Sequence, residues 1–520
     1  MKITSQKISI QYFQSYSEMM DDGFSFRNGG PRTPVAFPFD WAADPFNDRN
    51  WCFNLNAWRM TDCAIVEFEQ KNSMEAFRFI VDVALDWYQF HFIEINKSDF
   101  SWYDMACGLR ASRIALILSN FEALQVCTTE IERRKIDLIA HTHISHLSDK
   151  SEISLGNHAI FQLSGLYYLA SVFLGSAFFH RRFCKTQLDK LIENWFTPEG
   201  IHKEHSPEYH KFTIDRLRML PENALSINSK EVIKNANEIV DAFTDLDGKF
   251  LEIGDTNASY RRPNIKKLVG PDNAGIILDY IRSGYWLHRH PEYTFIIYSA
   301  AFNKSHKHAD DLAFIWSDHK GALFVDGGKY SYDRNEMRNF IISPRAHNTV
   351  SVVGRLLKPG DIRWPVGGTG FTAVRQAGDR HVIEGRVERP GYFVQARRLE
   401  YTPGQLIRIE DELLNQCGAP LESLLNIDGA AEITALGPNR FKLVRGETVA
   451  ELTAEGGEVA LFKGSTDPLY GWRSRRYREI EPCHTLALRD AGSAASRLTW
   501  TIRLGVEDAD VSSSASIKPD

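Results

Sequence analysis

The sequence has little cysteine, no excess of positive charge and no long apolar run. Its seven cysteines are scattered over 520 residues without a CxxC motif, which excludes a small disulfide-stapled scaffold and is typical of reduced thiols inside a cell. Lys and Arg total 61 against 67 Asp and Glu, a net charge of −6. We therefore expect no nucleic-acid or membrane partner. A polyanionic ligand would need a local basic site.

No segment has the features of an export signal or a membrane span. The N-terminal residues 1–16 are polar and lack the apolar stretch of about 7–15 residues that a signal peptide contains. The most apolar run, 159–174, retains Gln162, Ser164 and Ser171, and we interpret it as a buried helix. We predict a cytoplasmic protein, or a periplasmic or secreted one if a leader has been removed.

Helix-period patterns dominate the chain up to about residue 260. In 73–90, the apolar residues recur on one helical face and Ser73 is a candidate N-cap. Further amphipathic runs occupy 104–120, 122–140, 158–175, 177–194 and 228–244. No clear repeat of about 20–50 residues is found, which favours a helical array or toroid over a regular solenoid.

From about residue 284 the pattern is typical of strands. Short β-branched or aromatic runs, separated by turn residues, occupy 293–300, 311–318, 321–328, 347–354, 396–402, 404–413 and 497–505, with a hairpin turn at 319–321. We predict a multidomain α+β protein, an N-terminal α/α toroid followed by a C-terminal antiparallel β-sandwich. The predicted boundaries are 1–260 for the toroid, 261–283 for a linker, 284–510 for the sandwich and 511–520 for a frayed tail.

A histidine- and aspartate-rich cluster starts at residues 305–311. If this segment is a strand, His306 and His308 point to the same face. Asp326 follows across the predicted hairpin, and His347 comes 21 residues later. Two imidazoles and a carboxylate from neighbouring strands can hold a zinc-like ion. Spacing alone leaves open the alternative that these are polar residues at strand ends.

Two further clusters lie in the helical part. Asn157 and His158 open an apolar helix, where they serve either as a simple N-cap or as donors that bind and neutralise a carboxylate. The segment 202–210 is either a surface loop with a capping serine or the carrier of Tyr209, a phenol that exchanges a proton with substrate if cations lower its pKa.

Four arginines, at positions 473, 475, 476 and 478, lie close together in the sequence YGWRSRRYRE. They indicate either a solvated strand face or an anion-binding edge.

The order of these motifs resembles the heparinase II/III-like polysaccharide lyases, which include heparan, chondroitin and alginate lyases. Asn157-His158, then GIHKEHSPEYHKF, HKHADDLAFIW, LFVDGGKYSY and PRAHNTV carry the resemblance. It extends from about residue 100 to 355, and more loosely to 505. The family fold is an α/α toroid joined to an antiparallel β-sandwich, in agreement with the change of period near residue 284.

The resemblance implies a role for each matching residue. Asn157 and His158 would neutralise a uronate carboxylate, and Tyr209 would protonate the leaving oxygen or act as the base on some epimers. His306 would be a second acid or base. The metal ligands would be His308, Asp326 and His347, around a mainly structural ion that is usually zinc. Residues expected to contact substrate are His205, Tyr332 and Arg345; Tyr330 or Tyr332 is an alternative base.

The predicted function is β-elimination of an acidic polysaccharide, by a monomer or homodimer, giving 4,5-unsaturated uronate ends. Glycosaminoglycans such as hyaluronan, chondroitin sulfate or heparan sulfate are the favoured substrates, then alginate or a capsular polyuronate. One alternative is a glycoside hydrolase using Glu204, Glu208 or Asp255 as acids. Another is a non-catalytic glycan-binding protein of polysaccharide assembly.

Overall fold

The computed structural model describes residues 2–175, 177–259, 275–363 and 369–505. All the described α-helices but the last precede the strands along the chain. Numbered α1 to α12 in the described residues, the helices span Tyr16–Asp22, Arg49–Asn56, Thr61–Lys71, Met74–Tyr88, Asp104–Ser119, Phe121–Cys127, Glu130–Ser148, His158–Phe173, Phe178–Trp195, Pro207–Arg218, Ile227–Ile239 and Glu336–Ile341.

The chain divides into two compact units. Unit 1 comprises residues 1–194 and 213–233, and unit 2 comprises 195–212 and 234–520. The predicted boundaries at 260 and 284 stay predictions, because residues 261–274 of the linker and the tail 511–520 lie outside the described residues.

The predicted helical runs of unit 1 are confirmed, with one difference. Ser73 accepts a hydrogen bond from the amide of Ala76 and caps α4, as expected. The run 122–140 forms two helices, α6 and α7, because Thr129 makes a capping box with Glu132 and starts a new helix. The chain therefore breaks between two segments whose apolar periodicity looks continuous.

Helix α8 is the apolar run that we interpreted as a buried helix. Eleven of its sixteen residues are buried. It packs against α5 at two glycines, since a Cβ on Gly108 would overlap the backbone of Phe161, and a Cβ on Gly165 would overlap the carbonyl of Gly108. Among the described residues, no helix is long and apolar enough to cross a membrane.

The strands of unit 2 form two large antiparallel sheets and two short hairpins. Numbered β1 to β21, they span Ile276–Tyr280, Tyr285–Arg289, Tyr293–Tyr298, Ala313–Asp318, Gly321–Phe324, Val350–Val352, Gly370–Ala377, Arg380–Arg389, Phe393–Thr402, Leu406–Asn415, Leu421–Ile427, Glu432–Gly437, Arg440–Arg445, Thr448–Glu455, Glu458–Lys463, Ser465–Thr466, Leu469–Tyr470, Trp472–Arg473, Glu481–Pro482, His484–Arg489 and Ala495–Leu504. One sheet has the order β1-β2-β3-β4-β5-β11-β20-β15, with β6 on β11, and the other β12-β13-β14-β21-β10-β9-β8-β7.

The core of unit 2 lies between these two sheets. Phe295 and Trp316 from the first sheet join Tyr401, Ile409 and Trp500 from the second in one buried cluster. The predicted turn at 319–321 connects β4 to β5, in which Asp318 pairs with Gly321. A helical region followed by packed antiparallel sheets confirms the predicted fold class.

Candidate active site and metal centre

Asn157 and His158 lie at the N-terminal end of α8 in unit 1. The Asn157 side chain makes no capping hydrogen bond, so capping does not explain this residue. His158 Nδ1 lies 3.1 Å from both carboxylate oxygens of Asp104. Burial raises the pKa of Asp104, but hydrogen bonds from His158 and from the Met105 amide lower it below its ordinary value. A charged carboxylate therefore orients the His158 ring.

In unit 2, Tyr209 lies in the first turn of α10, and its amide donates to the hydroxyl of Ser206 at 3.4 Å. The Tyr209 ring stacks on the imidazole of His306, with centroids 3.5 Å apart and planes at 18°. Its hydroxyl lies 2.8 Å from the hydroxyl of Tyr332. Three residues that the sequence singled out thus form one contiguous group.

His306 and His308 lie on a loop between β3 and β4, so the prediction that they share a strand face was wrong. His306 has a φ of +54° and Leu312 a φ of +58°, left-handed conformations that a regular strand does not contain. Buried Lys307 holds the loop inward by pairing with Asp310 and, at 3.0 Å, with Asp311. The two histidines nevertheless converge on a third residue, Asp255.

Asp255 is a buried carboxylate that joins the two histidines. Its Oδ2 lies 3.0 Å from His306 Nδ1, and its Oδ1 lies 3.0 Å from His308 Nε2. Arg338 donates to both oxygens, at 2.6 and 3.1 Å. Burial alone would raise the pKa of Asp255, but hydrogen bonds from His306, His308 and Arg338 lower it far below its ordinary value. A carboxylate that accepts four bonds is a fixed anion.

This arrangement sets the tautomers of both rings. Because the Asp255 carboxylate only accepts hydrogen bonds, His306 must donate from Nδ1 and His308 from Nε2. A neutral His306 then has its lone pair on Nε2, which lies 3.8 Å from a carboxylate oxygen of Glu204. A neutral His308 has its lone pair on Nδ1. His306 is thereby oriented to take a proton through Nε2.

His308, Asp326 and His347 form a buried cluster whose candidate ligand atoms all lie within 4.8 Å of one another. His347 Nδ1 lies 2.8 Å from Asp326. The remaining nitrogens, His308 Nδ1 and His347 Nε2, are buried and have no hydrogen-bond partner among the residues that the structure describes. Buried polar atoms without partners are unfavourable, so the donor set fits a divalent metal ion. The second nitrogen of His308 is held by Asp255, as is usual for a metal-binding histidine.

His308→Ala is expected to lower metal content and thermal stability together, because metal binding is coupled to folding. Metal analysis of the purified protein and a thermal melt with and without a chelator would measure both. His319→Ala, at an exposed histidine of the β4–β5 turn, is the matched control and should change neither. Unchanged metal stoichiometry in the His308 variant would reject this ligand set.

The expectation that cations lower the pKa of Tyr209 was wrong. The pKa of Tyr209 is raised from 10.0 to about 12, chiefly by burial. The bond from Tyr332 acts in the opposite direction, and the carboxylates of Asp255, Glu208 and Glu204 raise the pKa further. The Lys329 ammonium lies 5.3 Å from the centre of the ring, yet the pKa is raised. Tyr209 therefore keeps its proton at neutral pH.

Two predicted substrate contacts have partners inside unit 2. His205 is buried; its Nε2 accepts from the amide of Phe302 at 2.9 Å, and its Nδ1 lies 3.0 Å from the carbonyl of Ser305. His205 thus positions the loop that carries His306. Arg345 is also buried, 3.6 Å from Glu422 and above the ring of Tyr470. Their substrate-binding role stays a prediction.

Tyr332 and Tyr330 differ in their surroundings. Tyr332 is 48% exposed and bonds to Tyr209, whereas the backbone of Tyr330 is tied to Ser474 and Arg478. Partial burial, the negative charge of Asp255 and the bond to Tyr209 raise the pKa of Tyr332 above its ordinary value. The geometry therefore places Tyr332, rather than Tyr330, next to the reactive group.

Sequence reasoning missed the role of Asp255 and did not identify Arg338. Asp255 was named only as a possible hydrolase acid, and it is 51 residues from His306. The one local signal is the Gly254-Asp255 pair: Gly254 has a φ of +56°, and a Cβ there would press on the carbonyls of His205 and His306. That close approach brings the segments of Tyr209, Asp255 and His306 together.

A phenol, an imidazole and a carboxylate lie beside a histidine-aspartate set that fits a metal ion, on a helical region followed by antiparallel sheets. This is the arrangement expected of a polysaccharide lyase. Two family comparisons extend this. Residues 16–242 match the family described as Heparinase II/III N-terminus, and residues 279–501 match the one described as Heparinase II/III-like, C-terminal. The chain belongs to the heparinase II/III-like family, as the motifs suggested.

Similar solved structures agree with this assignment. A crystal structure of heparinase III has a TM-score of 0.74 at 15% identity, covering 97% of this chain and 87% of that one. Heparan sulfate lyase HepC from Pedobacter heparinus has a TM-score of 0.72 at 12% identity, covering 97% and 86%. At these identities the likeness shows the fold. A search of curated proteins finds no match to the sequence.

Proposed function

We propose that the protein cleaves uronate-containing polysaccharides by β-elimination, with glycosaminoglycans as the favoured substrates and alginate or a capsular polyuronate next. The observation that carries the proposal is the stacked pair of Tyr209 and His306 (3.5 Å between centroids) beside the Asp255 carboxylate. Tyr209 retains its proton at neutral pH, and His306 has a ring nitrogen, Nε2, that can accept one.

The reaction needs both a group that accepts a proton and a group that donates one. A base removes the C5 proton of the uronate, the electron pair forms the C4–C5 double bond, and the bond from C4 to the glycosidic oxygen breaks. The departing oxygen takes a proton. Charge that develops next to the uronate carboxylate is stabilised by fixed donors. No water is consumed, and the product has a 4,5-unsaturated uronate at its new end.

The geometry favours particular roles in this scheme. Tyr209, whose pKa is raised to about 12, is suited to protonate the leaving oxygen. His306, whose Nδ1 is held by Asp255, is suited to take the C5 proton through Nε2. Tyr332 holds the Tyr209 hydroxyl in position. The family resemblance, rather than the geometry, assigns Asn157 and His158 as donors for the uronate carboxylate; within unit 1, Asn157 makes no capping bond and Asp104 orients the His158 ring.

The same geometry disfavours the hydrolase alternative. A glycosidase needs two carboxyl groups that can exchange protons or attack. Both oxygens of Asp255 already accept two hydrogen bonds each. Glu208 is held by the side chain and amide of Asn257, at 3.0–3.1 Å, and by Lys329 at 3.4 Å. Neither carboxylate is free for acid–base work.

We propose zinc as the metal at His308, Asp326 and His347, because two imidazoles and a carboxylate are typical zinc ligands. When bound, the ion supplies a fixed positive charge that holds the three ligands together. Asp255 connects the metal site with the reacting groups, because it is hydrogen-bonded both to the metal ligand His308 and to His306.

Ultraviolet absorbance of the unsaturated uronate tests the proposal on a panel of polymers. The panel holds hyaluronan, chondroitin and dermatan sulfates, heparan sulfate, heparin, alginate and bacterial capsular polyuronates. We expect a rise on at least one glycosaminoglycan, which would name the substrate class. New reducing ends without absorbance would instead favour hydrolysis, and binding without new ends would favour the glycan-binding alternative.

A further inference from the structure

The segment 473–478, the arginine-rich motif of the sequence, runs beside the chain that carries Tyr332. Ser474 donates its amide to the carbonyl of Gly327 at 2.8 Å, and Arg478 donates its amide to the carbonyl of Tyr330 at 2.7 Å. A Cβ on Gly328, whose φ is +68°, would overlap the Ser474 carbonyl. The segment is therefore fixed against the loop of Tyr330 and Tyr332 by its backbone.

This attachment places Tyr477 next to the reactive tyrosines. Its ring centroid lies 6.3 Å from that of Tyr332, at 45°, and 44% of its surface is exposed. The guanidinium of Arg478 lies 5.5 Å above the Tyr477 ring and pairs with Asp333 at 3.2 Å. An exposed aromatic ring held in this way offers a rigid apolar face with a polar tip.

The four arginines of the motif differ in their partners. Arg473 pairs with Glu481 at 2.7 Å, Arg475 with Glu252 at 3.2 Å, and Arg478 with Asp333. Arg476 is exposed and, among the residues that the structure describes, has no acidic partner. Its carbonyl accepts from the hydroxyl of Ser474 at 2.9 Å, which fixes its backbone. Arg476 directly precedes Tyr477, so an exposed arginine and an exposed aromatic ring lie on consecutive residues of a segment whose backbone is fixed.

We propose that Tyr477 and Arg476 form a saccharide subsite adjoining the reacting bond. Tyr477 supports the face of a sugar ring, and Arg476 binds the carboxylate or sulfate of an acidic sugar, as a planar guanidinium is suited to do. This inference rests on the proposed function. Because the subsite is preformed, it contributes to substrate affinity without a cost of ordering the loop.

Kinetics of Tyr477→Ala, Tyr477→Phe and Arg476→Gln on hyaluronan and heparan sulfate test the subsite. We expect Tyr477→Ala to raise KM by about 10-fold and Arg476→Gln by several-fold, with kcat within about threefold, because uniform binding is lost. Tyr477→Phe should resemble the unmodified protein. Arg476→Gln should also weaken the salt dependence of KM. The matched control is Arg386→Gln, at an exposed arginine of β8.

The outcomes separate the subsite from the proposed function. If the unmodified protein cleaves the polymers and KM is unchanged in Tyr477→Ala and Arg476→Gln, the subsite proposal is overturned. The proposed function is unaffected by that result. A response of Arg476→Gln confined to heparan sulfate would assign Arg476 to sulfate, and a response on both polymers would assign it to carboxylate. Failure of the unmodified protein to cleave or bind any acidic polymer would overturn the proposed function and the subsite together.

Discussion

Tyr209→Phe is expected to lower kcat by about 10²–10⁴-fold, the usual contribution of a positioned acid or base. The substitution removes only the hydroxyl that bonds to Tyr332 and would protonate the leaving oxygen. The ring and its stacking on His306 remain. Loss of one hydrogen bond costs about 0.5–1.5 kcal/mol, so the variant should stay folded. Initial rates on the best polymer of the panel, with a thermal melt, would measure both effects.

Tyr330→Phe is the matched control for this experiment. Tyr330 lies two residues before Tyr332, but its backbone is bonded to Ser474 and Arg478 and its ring packs against a buried apolar cluster that includes Phe340. We expect its turnover to stay within a few-fold of the unmodified protein. Near-normal turnover in Tyr209→Phe, or an equal loss in both variants, would remove Tyr209 from the role of acid.

The raised pKa of Tyr209 also has a consequence for stability at high pH. An unfolded tyrosine loses its proton near pH 10, whereas Tyr209 keeps it to about 12 when folded. The folded state binds more protons in this window, so the stability that the protonated phenol contributes is present below pH 10 and is lost as the pH rises toward 12. The free energy of unfolding should therefore fall less steeply over this range in Tyr209→Phe.

Asp255→Asn is expected to affect catalysis, metal binding and stability at once. The amide cannot accept hydrogen bonds at both atoms, so His306 and His308 lose their common acceptor, and Arg338 loses its buried partner. We expect kcat to fall by at least about 10²-fold and metal affinity by about 10–100-fold, as for other outer partners of metal ligands. Removing one partner of a buried ion pair costs up to about 3–5 kcal/mol.

Turnover, metal content and a thermal melt would be measured in parallel for Asp255→Asn. The control is Asp245→Asn, at another buried aspartate of unit 2 that accepts from the amide of Lys249 at 2.8 Å, and it should change neither turnover nor metal content. If Asp255→Asn kept full turnover and metal content, Asp255 would have no positioning role. Loss of metal with full turnover would separate the metal centre from His306.

Local patterns were sufficient to predict much of the fold. The apolar period of 158–175 and the cap at Ser73 predicted α8 and α4, and the turn at 319–321 predicted the β4–β5 hairpin. The strand predicted for 311–318 begins later, at Ala313, since left-handed residues and the ion pairs of Lys307 shape the preceding loop. Those ion pairs depend on burial, which the sequence pattern does not contain.

The site was predictable where its residues cluster in motifs. His308, Asp326 and His347 were identified as a set, and the structure brings them together. Asp255 was not, because one aspartate among many has no distinguishing spacing, and its three partners lie 51–83 positions away in the chain. The direction of the pKa shift of Tyr209 could not be predicted from the sequence either. It depends on burial and on carboxylates that only the folded chain brings close.

Product masses from a defined acidic oligosaccharide test the central claim most directly. Elimination splits the chain without adding water, so the masses of the two products should sum to the mass of the substrate, and one product should absorb in the ultraviolet as an unsaturated uronate. Products whose summed mass exceeds that of the substrate by one water, without that absorbance, would show hydrolysis and contradict the account.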